Sequence, residues 1–227
     1  MTACQHIYRR IIEDLDAILS LRQRRSLKTD GSYVTEGDLY CQAVVTESLH
    51  RFAPGCTVIS EERDTRYDGS GDVAVVDPID GTENFTSGLP EWGVSVSIYR
   101  QGLHVESMLA LPELNRVLMS GDSVTQYSSR IHGFSSSVAP RTLRDLVPGC
   151  EYRVVGCAVY NFYSVITGSF CTFENPVGAN CWDILAGLNL SAEHGLEVTV
   201  DGRGYKGEFL PPTKRYSFLV RNVSPGQ

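Results

Sequence analysis

The chain has 227 residues, 42 % hydrophobic and 21 % charged, which suits one compact domain or two tightly packed subdomains and excludes a disordered chain. Its formal net charge is −7, and no Lys/Arg run beyond short pairs such as Arg9-Arg10 and Arg24-Arg25 marks a basic face, so no nucleic-acid partner is expected. Seven cysteines at irregular spacing, with no CxxC, predict neither a disulfide framework nor a zinc site and point to a reducing cytoplasm. The N-terminus lacks a long apolar core of the kind signal peptides carry, and no apolar run approaches the ~20 residues of a membrane span, so no membrane partner is expected.

In chain order, Ile7 to Leu21 reads as an amphipathic helix, with Ile7, Ile11, Ile12, Leu15, Ile18 and Leu19 near one face. Lys28 to Ser32 is a turn, and a second helix is predicted from Thr35 to about Phe52, stopped by Pro54-Gly55. Thr57 to Ser60 is a short strand that ends at the acidic pair Glu61-Glu62. A polar stretch then leads to the buried run Val73-Ala74-Val75-Val76, which ends at Asp77. Val94 to Tyr99 and Val105 to Leu111 form a strand pair turning around Gln101-Gly102, and Arg116 to Met119 continues the meander. The serine-rich stretch 121–140 is read as a subdomain boundary containing a short strand, followed by a short helix around Leu143 to Leu146. Tyr160 to Ile166 and Trp182 to His194 read as helices, the latter closed by Gly195, and Val198 to Val200 and Phe218 to Val220 as strands. Strands alternate with helices throughout, so the class is mixed α and β.

The segment Asp77-Pro78-Ile79-Asp80-Gly81-Thr82-Glu83-Asn84-Phe85 places two carboxylates three apart where a buried strand ends. Pro78 fixes one backbone angle and Gly81 permits a sharp turn, so both carboxylates and the Ile79 carbonyl can converge. Three such oxygens suit a hard cation such as Mg²⁺; a plain surface turn rich in Asp, Pro and Gly is the alternative. Glu61 also lies at a strand end, Asp183 opens a helix in Trp182-Asp183-Ile184-Leu185-Ala186-Gly187, and Asp38 falls in the capping box Thr35-Glu36-Gly37-Asp38. Each has an ordinary reading as a solvated acid or as a helix-start acid favoured by the dipole.

Taken together, DPIDGTENF, the upstream Glu61-Glu62 pair, VTEGD and WDILAG resemble the inositol monophosphatase family, in the family's order and over nearly the whole chain. The resemblance implies a layered α/β/α/β/α sandwich, with an N-terminal α+β half over 1–120 and a C-terminal α/β half over 121–227. It implies a Mg²⁺-dependent phosphomonoesterase that hydrolyses a small polyol, cyclitol or sugar-like phosphate by metal-activated water, with lithium sensitivity. Glu61, Asp77 and the Ile79 carbonyl look like ligands of one ion, and Asp77, Asp80 and Asp183 of a second. Asp38 with Glu61 would hold a third ion or its water, making two or three Mg²⁺ in all. Thr82 looks like the residue that orients the attacking water, and the Gly81 and Thr82 N–H groups like holders of phosphate oxygens. Lys28 falls where relatives often carry a lysine. No GxSxG elbow is present and the five histidines form no cluster, which disfavours a covalent phosphoenzyme.

The chain is shorter than typical relatives between about Gly121 and Tyr152, a region that in the family shapes the pocket rim and subunit contacts. Substrate choice and a homodimer are therefore left open. Gly156-Cys157-Ala158 resembles the segment lining the substrate side, and Glu174 is the nearest candidate for an acid that binds a sugar hydroxyl, with a surface loop acid as the alternative. Other readings are a phosphatase of a nucleotide 3′-phosphate, of histidinol phosphate or of a specialised biosynthetic intermediate, and a catalytically inactive metal- or ligand-binding relative.

Overall fold

A computed structural model describes residues 1–29, 31–63, 67, 71–136 and 146–223 of the chain. The first helix starts earlier than its periodicity suggests, because Thr2 and Gln5 form a capping box that opens α1 at Ala3–Glu13. It does not run on as one piece: Asp14 leaves the helical conformation, and α2 (Leu15–Ser20) resumes after it. The expected turn at 28–32 joins a hairpin of β1 (Arg25–Leu27) and β2 (Tyr33–Thr35), too short and too exposed to show a hydrophobic alternation. Helix α3 (Glu36–Phe52) follows at once, capped by Thr35.

Five strands then form one sheet in the order β3 (Thr57–Ser60), β4 (Val73–Asp80), β5 (Gly93–Arg100), β6 (Leu103–Leu111) and β7 (Arg116–Met119), with the short α4 (Thr82–Thr86) after β4. Alternation along β4 divides the interior into two cores. Ala74 and Val76 pack with Ile7, Ile11, Val44 and Leu49 of α1 and α3 on one face. Val73 and Val75 face the other way, toward Phe162, Ile184 and Leu188.

The second sheet has the order β12 (Arg203–Gly204), β11 (Glu197–Val200), β13 (Tyr216–Arg221), β10 (Thr172–Ala179), β8 (Ile131–Phe134), β9 (Glu151–Val154). Between the sheets lie α5 (Ala158–Ile166) and α6 (Cys181–Glu193). Helix α6 is buried at every position from Ile184 to Ser191, which is why it shows no polar stripe. The two helices touch at Gly187, where a Cβ would stand 2.1 Å from the Phe162 ring, so only glycine allows this approach. The described layers are thus α/β/α/β. The expected helix around 143–146 falls outside the described residues except for its last position. Strands β9 and β10 were not legible: β10 carries Pro176 and Gly178, and its pairing with β13 shifts register between Asn175 and Ala179. No helix among the described residues is long and apolar enough to cross a membrane.

Candidate metal centre and leaving-group cavity

Strands β3 and β4 run parallel with Ser60 opposite Val76, so β3 ends alongside the middle of β4 and Glu61 emerges beside Asp77. The next step depends on a bulge. Residues three apart on a regular strand point to opposite faces. Here Asp77 pairs with Ser95 but Asp80 pairs with Gly93, so β4 carries one residue more than its partner between the two acids. That extra residue turns Asp80 back toward the side Asp77 faces. It also explains how Pro78, which cannot donate to a ladder, sits in an interior strand. Gly81 then takes φ +80° to start α4, and a Cβ there would stand 3.0 Å from the Cys157 Cβ.

Glu61, Asp77 and Asp183 each offer a carboxylate oxygen within 4.8 Å of the others, and they are the one such group among the described residues. Asp77 is 1 % exposed and its Oδ1 has no hydrogen-bond partner. Burial, then the charges of Glu61, Asp80, Asp183 and Asp38, push its carboxyl well above the usual range. Burial, with Asp80 and Glu61, pushes Asp183 up to about 8. Burial pushes Asp80 up to about 6, although hydrogen bonds from Cys157 and Val159 pull the other way. A buried, mutually repelling cluster with an orphaned oxygen is the donor set a divalent cation satisfies.

Three further acids surround the trio. Asp80 Oδ2 accepts from the Cys157 thiol at 3.0 Å and from the Val159 N–H at 2.5 Å, at the start of α5. Asp38 Oδ2 accepts from the Thr35 N–H at 2.8 Å and the Thr35 hydroxyl at 2.5 Å, while its Oδ1 stands 3.4 Å from the Thr82 hydroxyl. That hydroxyl also donates to the Ile79 carbonyl at 3.0 Å. Lys28 closes the cluster, reaching Glu61 at 2.8 Å and Glu62 at 2.6 Å. Burial pulls its ammonium down, but the two carboxylates outweigh this and hold it above its ordinary range.

From Asp80 and Asp183 a cavity of about 160 Å³ opens between α5 and the second sheet, lined also by Cys157, Asn161, Asn175 and Arg215. Glu174 does not join it. Phe173 and Asn175 line the cavity, and the alternation of β10 turns Glu174 to the opposite face, near His132 and Arg221. Burial and then Asp80 raise the Cys157 thiol far above its ordinary range, which disfavours it as a nucleophile. Asn161 and Arg215 were not foreseen. An asparagine inside the apolar run of α5 was a readable signal, whereas Arg215 reaches the rim only through the fold, donating to the Gly178 carbonyl at 2.7 and 3.1 Å.

The profile of the "Inositol monophosphatase family" matches residues 2–130, more than half of the chain. The chain belongs to the inositol monophosphatase family. It is a phosphatase of that metal-dependent family. An inositol-1-monophosphatase of Mesorhizobium japonicum is 29 % identical over 199 residues, covering 75 % of this chain and 73 % of its own. The crystal structure of Staphylococcal inositol monophosphatase-1, soaked in LiCl as an inhibitory complex, superposes with a TM-score of 0.81 at 19 % identity, over 95 % of this chain and 86 % of the other. An IMPase/NADP phosphatase complexed with Mg²⁺ and phosphate gives 0.79 at 19 % identity, over 95 % and 87 %. At these identities the superpositions establish the shared fold.

Proposed function

We propose that this phosphatase hydrolyses the monoester of a small polyol, cyclitol or sugar-like alcohol, with Mg²⁺ held by Glu61, Asp77 and Asp183. The observation that carries the reading is the Thr82 hydroxyl poised between Asp38 Oδ1 and the Ile79 carbonyl, beside that carboxylate trio. When bound there, Mg²⁺ would supply charge neutralisation and an acidified water. The bound Mg²⁺ and phosphate of the related IMPase/NADP phosphatase support this choice of ion.

The chain's own residues do the rest. Asp38, fixed by Thr35 through its other oxygen, sets the direction of the Thr82 hydroxyl, and Thr82 in turn orients the attacking water by one hydrogen bond. The N–H groups of Gly81 and Thr82, at the first turn of α4, would hold phosphate oxygens. Asp80 and Asp183 border the cavity and so stand between the phosphate site and the leaving alcohol. The cavity of about 160 Å³ has room for a small alcohol beside these two acids.

The test is phosphate release with Mg²⁺ over inositol, glycerol and sugar phosphates, histidinol phosphate and adenosine 3′,5′-bisphosphate, each repeated after chelation. Release from the small polyol esters that chelation abolishes is expected. Undiminished release without metal, or preference for the nucleotide, would refute the proposal.

A further inference from the structure

Helix α5 presents Val159, Phe162, Val165 and Ile166 to the core, and Asn161 interrupts that run. Asn161 is 1 % exposed, yet neither its Oδ1 nor its Nδ2 has a hydrogen-bond partner among the described residues. Leaving buried polar atoms unmet costs about 1–3 kcal/mol each, so this amide is suited to a partner that the described residues do not supply. Its place says where that partner would be. Asn161 lies four residues after Cys157, and its N–H donates to the Cys157 carbonyl at 3.2 Å, so the two side chains share a helix face. Cys157 holds Asp80, and Asn161 lines the same cavity as Asp80 and Asp183.

The chemistry of the partner follows from the amide. It offers donors and an acceptor side by side, and a hydroxyl uses both, as a water or another amide also would. A carboxylate or second phosphate would use only the donors and would meet the charges of Asp80 and Asp183; an ammonium would use only the oxygen. We propose that Asn161 is a specificity-determining residue that hydrogen-bonds a hydroxyl of the leaving alcohol, close to the ester oxygen. This deepens, and rests on, the phosphatase reading above.

The experiment compares glycerol 2-phosphate with isopropyl phosphate, which share a carbon skeleton and differ by two hydroxyls, in wild type, Asn161→Leu and Asn161→Ser. Wild type should prefer the hydroxylated ester, and the ratio of the two kcat/KM values should fall about tenfold in the leucine variant, as for the loss of one hydrogen bond worth ~1.4 kcal/mol, with the serine variant between them. Because leucine removes an unmet amide, its Tm should hold or rise. A fall shared equally by both esters, an unchanged ratio, or a Tm several degrees lower would assign Asn161 to the fold and overturn the proposal. Phosphate release from isopropyl phosphate by the wild-type protein tests the phosphatase reading by itself; release from neither ester removes both.

Discussion

Asp77→Asn separates the electrostatics of the cluster from its packing. The three carboxylate oxygens of Glu61, Asp77 and Asp183 lie within 4.8 Å of one another. At that separation two unit charges repel by about 3.5 kcal/mol at an effective dielectric of ~20. Neutralising Asp77 removes two of the three pairs, a ceiling of about 7 kcal/mol if all three acids were ionised. They are not: Asp77 is held well above the ordinary range, and Asp183 titrates at about 8, so protons already relieve part of the repulsion. The metal-free variant should therefore gain about 1–3 kcal/mol at pH 8, or ~2–10 °C in Tm. The sign with pH is fixed by linkage. Raised carboxylate pKa values mean that the native state binds more protons than the unfolded chain, so wild-type stability falls as pH rises from ~4 through the folded values. The advantage of Asn should vanish near pH 4 and grow toward pH 8. Thermal melts in chelator at three pH values, repeated with Mg²⁺, measure this, and Mg²⁺ should raise the Tm of wild type but hardly that of the variant. A variant that melts below wild type at pH 8 in chelator, or a difference independent of pH, would refute the argument.

Thr82→Ala should lower kcat at least tenfold with little change in KM, while Thr82→Ser keeps much of the rate; steady-state kinetics with Mg²⁺ decide, and equal turnover in Ala and wild type would leave Thr82 only its bond to the Ile79 carbonyl. Lys28→Met strips the ammonium from Glu61 and Glu62, both largely sheltered, and should cost the metal-free protein about 1–3 kcal/mol, read as a lower Tm in chelator. Gly81→Ala forces a Cβ into a backbone with φ +80° and to 3.0 Å from Cys157, so it should lose ~1–2 kcal/mol from strain alone and lower turnover by shifting Thr82; an unchanged Tm would contradict the geometry. Li⁺ should inhibit Mg²⁺-dependent phosphate release in a titration, and indifference to Li⁺ would point to an altered environment around Asp183.

Much of this was legible because local rules and site chemistry coincide. The strand leading into Asp77, which runs on to Asp80 instead of ending at Asp77, the capping box at Thr35–Asp38 and the helix opening near Asp183 follow from alternation, hydroxyl caps and helix-start acids. What escaped depends on tertiary pairing. The bulge that turns Asp80 beside Asp77 exists only relative to β5. The face on which Glu174 lies is set by the register of β10 against β8 and β13, which a strand broken by Pro176 and Gly178 does not advertise. The hairpin at 25–35 is too short for any periodicity to show. Arg215 reaches the cavity from a segment with no pattern of its own.

Asp38, Asp80 and Asp183 share one arrangement: in each, Oδ2 accepts a backbone N–H at the start of a helix, from Thr35, Val159 and Asn180 respectively. Folding and chemistry thus draw on opposite ends of the same three side chains. A descendant that abandons the reaction but keeps the fold has a narrow route out. Asparagine can still accept the N–H while giving up the charge, whereas alanine forfeits the cap as well, at ~1 kcal/mol per helix. Asp77, whose Oδ1 meets no group among the described residues, caps no helix and can give way to an apolar residue at a gain in stability. Retired members of such a lineage should be recognisable by that contrast: amides at the three helix starts, and a hydrocarbon where the buried strand once carried an acid.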